Sequence, residues 1–195
     1  MHYSQINLNW QIKVPTTNSK GGRAAAVLGK DGKQIEIILA EPGPFNEPLR
    51  SPFGACNYTE SEETRMNLDL NLNKSLEGWL QIVDKYLIGA ATDNSVALFK
   101  KQLSEDEVRK SYTPLIRTKE GWPSKMRCKV NLNKVRVWST DHERREVPES
   151  MFRDCNLWPK IVVKSLWFMG TGAWGLTVEC TDIMIDEDKA ECPWM

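Results

Sequence analysis

Between Pro123 and Trp138 the sequence PSKMRCKVNLNKVRVW sets cationic and apolar side chains in alternation. Lys125, Arg127 and Lys129 share one parity, and Met126, Cys128 and Val130 the other. Past the NLN triplet, Lys134, Arg136 and Trp138 stand against Val135 and Val137. Successive strand side chains point to opposite faces, so the pattern builds a sheet with one apolar and one cationic side. Ordinary exposed strands mix signs to limit cross-strand repulsion; here no acid interrupts the run from Lys125 to Arg136. Farther on, Lys160, Val162, Lys164, Leu166 and Phe168 share one parity, and Ile161, Val163, Ser165 and Trp167 the other. If the first set faces outward, Lys160, Lys164 and Phe168 extend the same surface. Cations interleaved with rings suit a single nucleic-acid strand: phosphates attract Lys and Arg, and unpaired bases stack on rings, worth ~1–3 kcal/mol per base. A duplex hides those base faces. Lys125, Arg127, Lys129, Lys134, Arg136, Lys160 and Lys164 are therefore expected at phosphates, with Trp138, Phe168 and Trp122 as stacking rings. Trp158 is a further ring beside charge, Trp79 on a helix's apolar stripe and Trp174 on the parity of Leu176 and Val178 are expected in the core, and Tyr112 is open to either role.

Other chemistries are poorly supplied. His2 lies at the terminus and His142 in the polar turn STDHERRE, so a Ser-His-Asp or Cys-His nucleophile would depend on His142. Gly170, Gly172 and Gly175 form a literal G-x-G-x-x-G, but the alternating LTVECTDIMI follows where a dinucleotide site needs a helix. Asp182, Asp186 and Asp188 could ligate magnesium, yet they read as a solvated tail. Five cysteines, without a C-x-x-C, predict reduced thiols rather than disulfides or a zinc knuckle. No cofactor and no metal are expected.

The elements that must carry the cationic face follow from the rest of the 195 residues, a length that favours one domain. Net charge is zero, so the distribution of charge matters more than its sum. Basic residues gather at Lys13–Lys33 and Lys125–Arg136; acids gather in ESEE at Glu60–Glu63 and in the ending DEDKAECPWM. No apolar run reaches the roughly 18–20 residues that span a bilayer, so no membrane is expected. The N-terminus lacks a secretory signal's apolar block, which predicts an intracellular protein.

Residues 1–22 read as a flexible basic arm, 23–185 as the binding domain and 186–195 as a short acidic tail. RAAAVLGKDGKQIEIILA predicts a hairpin turning at Asp31-Gly32. A proline-rich loop containing SPFG follows, then MNLDLNLN, with Met66, Leu68, Leu70 and Leu72 inward and Asn67, Asp69 and Asn71 outward. Helices are expected at about 75–112: one from a Ser75 cap with Leu76, Trp79, Leu80, Val83, Leu87 and Ala90 on one face, another from a Ser104–Glu107 capping box. PESMFRDC predicts one helical turn, and the last two β-runs meet at a glycine turn. The fold class expected is predominantly β: an oligonucleotide-binding-fold-like (OB-fold-like) small barrel with an inserted helical segment, or else a β-sandwich with a helical flank.

The order of SPFG, MNLDLNL, SEDEVRKSYTPLIR, the basic alternating strands and SLWFMGTGAWGLTVECTDIMI, over Lys33 to Ile185, resembles the single-stranded-DNA-binding proteins of large eukaryotic (nucleocytoplasmic) DNA viruses, and more remotely those of phage replication. The resemblance implies an OB barrel that coats single-stranded DNA in replication, recombination or repair without catalysis, in the nucleus or cytoplasmic viral factory of an infected cell. It also implies that the tail, through Asp186, Glu187, Asp188, Glu191 and Trp194, docks on replication proteins and competes for the DNA groove. RNA is an alternative ligand, and a homodimer is one option for assembly. Two rivals stand: a structural or virion-associated protein using the basic β-face as a protein–protein interface, and a metal-dependent nucleic-acid-processing enzyme.

Overall fold

In the computed structural model, residues 1–17, 21–43, 47–57 and 64–185 are described; Lys20, the Glu60–Glu63 cluster and the acidic tail at 186–195 lie outside them. In chain order the elements are β1 (Gln11–Ile12), β2 (Thr16–Thr17), β3 (Arg23–Leu28), β4 (Ile35–Ile38), β5 (Leu49–Ser51), β6 (Ala55–Cys56) and β7 (Arg65–Asn71). The helices α1 (Lys74–Asp93), α2 (Ser95–Phe99) and α3 (Glu105–Ser111) follow, then β8 (Tyr112–Thr113), β9 (Ile116–Lys119), β10 (Trp122–Asn131), β11 (Arg136–Ser139), β12 (Arg144–Arg145), β13 (Cys155–Phe168) and β14 (Trp174–Ile185).

The spine is the long antiparallel pair β13–β14. Along the outer edge of β13 lie β3, β4 and β5 in turn. Along the outer edge of β14 lie β8, β10 and β11, all parallel to it. β10 pairs in addition with β7 and β9, and β7 with β6. At the far side β5 packs beside β7 without sharing a ladder, so the barrel stays open. Leu68, Leu70, Met126, Val130, Leu166 and Ile183 fill its interior at 0% exposure. Burying such a side chain contributes ~1.5–3 kcal/mol relative to leaving it in water. The alternation read from the sequence therefore governs β7 and β10.

The helical segment enters between β7 and β8. Asn73, not Ser75, caps α1, its side chain accepting from the Leu76 N–H. Leu76, Leu80, Val83 and Leu87 are buried as expected, but Ala91 rather than Ala90 completes the stripe and Trp79 is only half-buried. The capping box of α3 forms as predicted between Ser104 and Glu107. The Trp174 indole N–H donates to the Val108 carbonyl at 3.0 Å, tying α3 to the start of β14.

Three expectations give way. β3 and β4 do not form a hairpin: both run antiparallel to β13, one after the other. The Asp31-Gly32 turn closes a local loop, with the Gly29 N–H donating to the Lys33 carbonyl at 2.8 Å, and the chain then continues in its original direction. PESMFRDC is no helical turn, because Met151, Phe152 and Asp154 all have positive φ, a left-handed conformation that cannot propagate a right-handed helix. Nor is the N-terminal segment free of the body. Tyr3 and Trp10 are buried, the Trp10 N–H donates to the Tyr86 hydroxyl at 2.9 Å, and β1 and β2 pair with β3.

Candidate nucleic-acid interface

The outer face of β10 carries Lys125, Arg127 and Lys129, set opposite Asn71, Asp69 and Asn67 of β7. Met126, Cys128 and Val130 point into the barrel. β9 lies beside β10 with Arg117 opposite Lys125 and Lys119 opposite Trp122. Two adjoining clefts open on this face. One, of about 280 Å³, is lined by Phe53, Trp122, Lys119 and Lys125 among others; the second, of about 220 Å³, reaches Lys129, Thr177 and Trp167. Arg117 and Arg127 line both clefts, so the surface is continuous from Phe53 to Trp167.

The rings are held by their backbones. Trp122 is 56% exposed, and Pro123 behind it confines it to extended geometry. Phe53, 42% exposed, sits on the SPFG loop, which is clasped to the 151–154 turn by Ala55 N–H to Met151 O at 2.6 Å and Asp154 N–H to Ser51 O at 2.8 Å. Gly54, at φ +66°, permits that clasp: a Cβ there would stand 2.5 Å from the Met151 carbonyl. Lys125 Nζ is within reach of both rings, 4.3 Å from the Phe53 centroid and 5.2 Å from that of Trp122; Lys119 Nζ is 5.8 Å from Trp122.

Phe168 is not on this surface. It is 8% exposed, stacked at 14° against Trp174 and in edge contact with Phe99. The pairing of β13 shifts register between Val163 and Ser165, leaving Lys164 as the extra residue of a β-bulge. One inserted residue exchanges every subsequent side chain between faces. Leu166 and Phe168 consequently turn inward, and Ser165 and Trp167 turn outward. Trp167 takes the place expected of Phe168, its ring lying over Gly175, where a Cβ would stand 2.7 Å from Trp167 Cζ2. The last glycine of the rejected G-x-G-x-x-G thus serves a close approach.

The seven expected phosphate contacts divide. Asp69 accepts from Arg127 Nε at 2.6 Å and Nη2 at 2.7 Å. Asp182 receives Arg136 Nε at 2.7 Å and Nη2 at 2.8 Å, and Glu36 holds Lys160 Nζ at 2.6 Å. These carboxylates neutralise three of the seven where they stand. Lys125 and Lys129 line the clefted face; Lys134 is exposed in the turn before β11, and Lys164 marks the bulge. Trp138 lies away from the clefts on β11, its indole N–H 3.3 Å from Asp182 and the Arg144 guanidinium 5.3 Å over its ring. Trp158 is half-buried nearby, opposite Met184, as is Trp138. Partial burial raises the Asp182 carboxyl, but hydrogen bonds from Arg136, Thr181 and Trp138 outweigh it and hold the group below its usual range.

Tyr112 belongs to the scaffold. Its hydroxyl donates to Asp84 Oδ1 at 2.6 Å, and the Leu115 N–H reaches the same carboxylate at 3.3 Å, which anchors the approach to β9 on α1. Of the three aspartates considered for magnesium, Asp182 is held by Arg136, while Asp186 and Asp188 lie outside the described residues. His142 sits in the 139–143 turn at φ +66°. Sequence reasoning did not nominate Phe53, Arg117, Lys119 or Trp167. The available signals were an aromatic set between Pro52 and Gly54 and the alternation of Arg117 with Lys119.

No family model matches this chain, and neither does any curated protein. Among solved structures it is similar to the single-stranded DNA-binding protein of bacteriophage Enc34 in a C-terminally truncated form, at 14% identity over 91% of this chain and 96% of that one, with a TM-score of 0.50. The same phage protein in complex with single-stranded DNA aligns at 15% identity over 89% and 94%, with a TM-score of 0.47. Gp2.5, a single-stranded DNA-binding protein encoded by bacteriophage T7, aligns at 10% over 78% and 86%, with a TM-score of 0.46. At such identities the first of these likenesses is one of fold. The chain is a predominantly β, OB-fold-like open barrel with an inserted helical segment.

Proposed function

We propose that this chain binds single-stranded DNA without sequence preference, as a non-catalytic, cofactor-free protein of DNA replication, recombination or repair. The observation that carries the reading is the pairing of rings with cations on one continuous face: exposed Phe53 and Trp122 and half-buried Trp167 stand among Lys119, Lys125, Arg117 and Lys129. Rings supply a sequence-tolerant grip because every base has a π-face, and the cations track the backbone. Trp167 stands across the strands from Trp122, so the nucleic acid would cross β10, β14 and β13 rather than run along them. An origin in a large DNA virus, and a place in the nucleus or cytoplasmic viral factory of an infected cell, are supported by the sequence resemblance.

The test is a tryptophan-fluorescence titration with oligo-dT at increasing salt. Binding should quench emission, and log K should fall by about 0.7 per neutralised phosphate for each tenfold rise in salt. Absence of binding at low salt, or an affinity indifferent to salt, would remove the proposal. The same titration with oligo-U sets the preference between DNA and RNA.

A further inference from the structure

Resting on that reading, we propose that Phe53 and Trp122 form a slot for one unpaired base that Lys125 fills in the free protein, and that an entering base displaces its ammonium onto the adjoining phosphate. Both rings sit on restrained backbone, Trp122 before Pro123 and Phe53 on the loop clasped by Met151 and Asp154. Beside both lies Lys125, a flexible four-carbon stem ending in a compact charge. Its ammonium is 4.3 Å from one ring centroid and 5.2 Å from the other, so a single cationic group serves both rings. A flat base makes contact with a ring at ~3.5–4 Å, so it would take the place beside these rings that the ammonium now holds. Stacking on rings outweighs exposed cation–π contacts, so the base wins the space. The lysine is not lost to the complex, because each base carries a phosphate within reach of the same stem.

A lysine that only touches phosphate and a lysine that also occupies the slot differ toward a ligand with no phosphate. 2-Aminopurine riboside, an uncharged fluorescent nucleoside, must displace Lys125 from the wild type and gain nothing in return. It should bind Lys125→Ala about five- to thirty-fold more tightly than the wild type, the equivalent of two exposed cation–π contacts. Oligo-dT should respond in the other sense, its salt slope shallower by about 0.7 for one lost phosphate contact. Equal nucleoside affinity in the two proteins would overturn the slot while leaving single-strand binding standing. A wild type that fails to bind oligo-dT at low salt would instead overturn the underlying reading. A second measurement needs no variant: the Lys125 ε-methylene protons should show ring-current-shifted NMR signals in the free protein and move to ordinary values in the saturated oligo-dT complex. Signals that stay shifted in the complex would show that the lysine never leaves.

Discussion

Asp69 offers the sharpest separation between folding and binding. Its carboxylate is 8% exposed and takes two hydrogen bonds from Arg127, itself 23% exposed, in the middle of the clefted face. Removing one partner of a buried pair costs about 3–5 kcal/mol, because the other charge is left without compensation. Asp69→Asn keeps the shape and one acceptor oxygen, so a loss nearer ~2–3 kcal/mol is expected, the strength of a hydrogen bond to a charged group. Urea denaturation followed by far-UV dichroism should show the midpoint fall accordingly. Binding should move the other way. Arg127 lines both clefts, and without the aspartate its charge faces whatever polyanion lies there. One added phosphate contact steepens the salt slope by about 0.7, so a fourfold rise in salt should weaken the variant roughly two- to three-fold more than the wild type. At low salt the less stable protein should therefore bind oligo-dT more tightly. A variant that is destabilised, binds more weakly and keeps the wild-type slope would refute the reasoning, since it would show that nucleic acid needs Arg127 held in place rather than released.

Neighbouring residues of β13 should separate in the same spirit. Phe168→Ala should cost about 3–5 kcal/mol of stability as a core truncation and leave the affinity of the folded fraction unchanged, whereas Trp167→Ala should lose ~1–3 kcal/mol of oligo-dT binding; the reverse pattern in paired melts and titrations would contradict the bulge. Gly175→Ala places a methyl 2.7 Å from the Trp167 ring and should destabilise by about 1–3 kcal/mol, an effect that Trp167→Ala in the same chain should relieve; two effects that simply add would break the link. Burial raises the Asp84 carboxyl above its usual value, against the lowering hydrogen bonds from Tyr112 and Leu115. The folded state therefore holds this proton more tightly than the unfolded one, and the group's stabilising contribution, complete below about pH 3.8, drains away as pH rises through the raised folded value. Asp84→Asn should erase that segment of the stability–pH curve, and a profile identical to the wild type would show the carboxyl is not responsible.

The sequence made β7 and β10 legible because both keep a strict two-residue period, with every cation of β10 from Lys125 to Lys129 falling outward as its parity requires. It misled on β13, where the same period breaks at Lys164, a residue whose chemistry does not announce a bulge. Turn residues at Asp31-Gly32 report a local reversal of the backbone, yet only tertiary pairing decides whether the following strand folds back or carries on. Sign patterning failed for a different reason. Lys125–Arg136 contains no acid, but Asp69 and Asp182, far away in sequence and adjacent only across the sheet, neutralise Arg127 and Arg136, as Glu36 does Lys160 on β13. Phe53 lay hidden in a loop because nothing local specifies that SPFG returns to the clefted face; the clasp to residues 151–154 does that.

The loop at residues 29–34 has a practical corollary. Its ends are pinned to one another by the Gly29–Lys33 hydrogen bond, and the strands on either side hold separate stretches of β13. Peptide inserted at Gly32 would disturb neither ladder, and lengthening such a loop carries little entropic cost, about 0.6 kcal/mol for each doubling. A reporter tag or tether could be spliced there, at an interior position of the chain, with the sequence on either side unaltered.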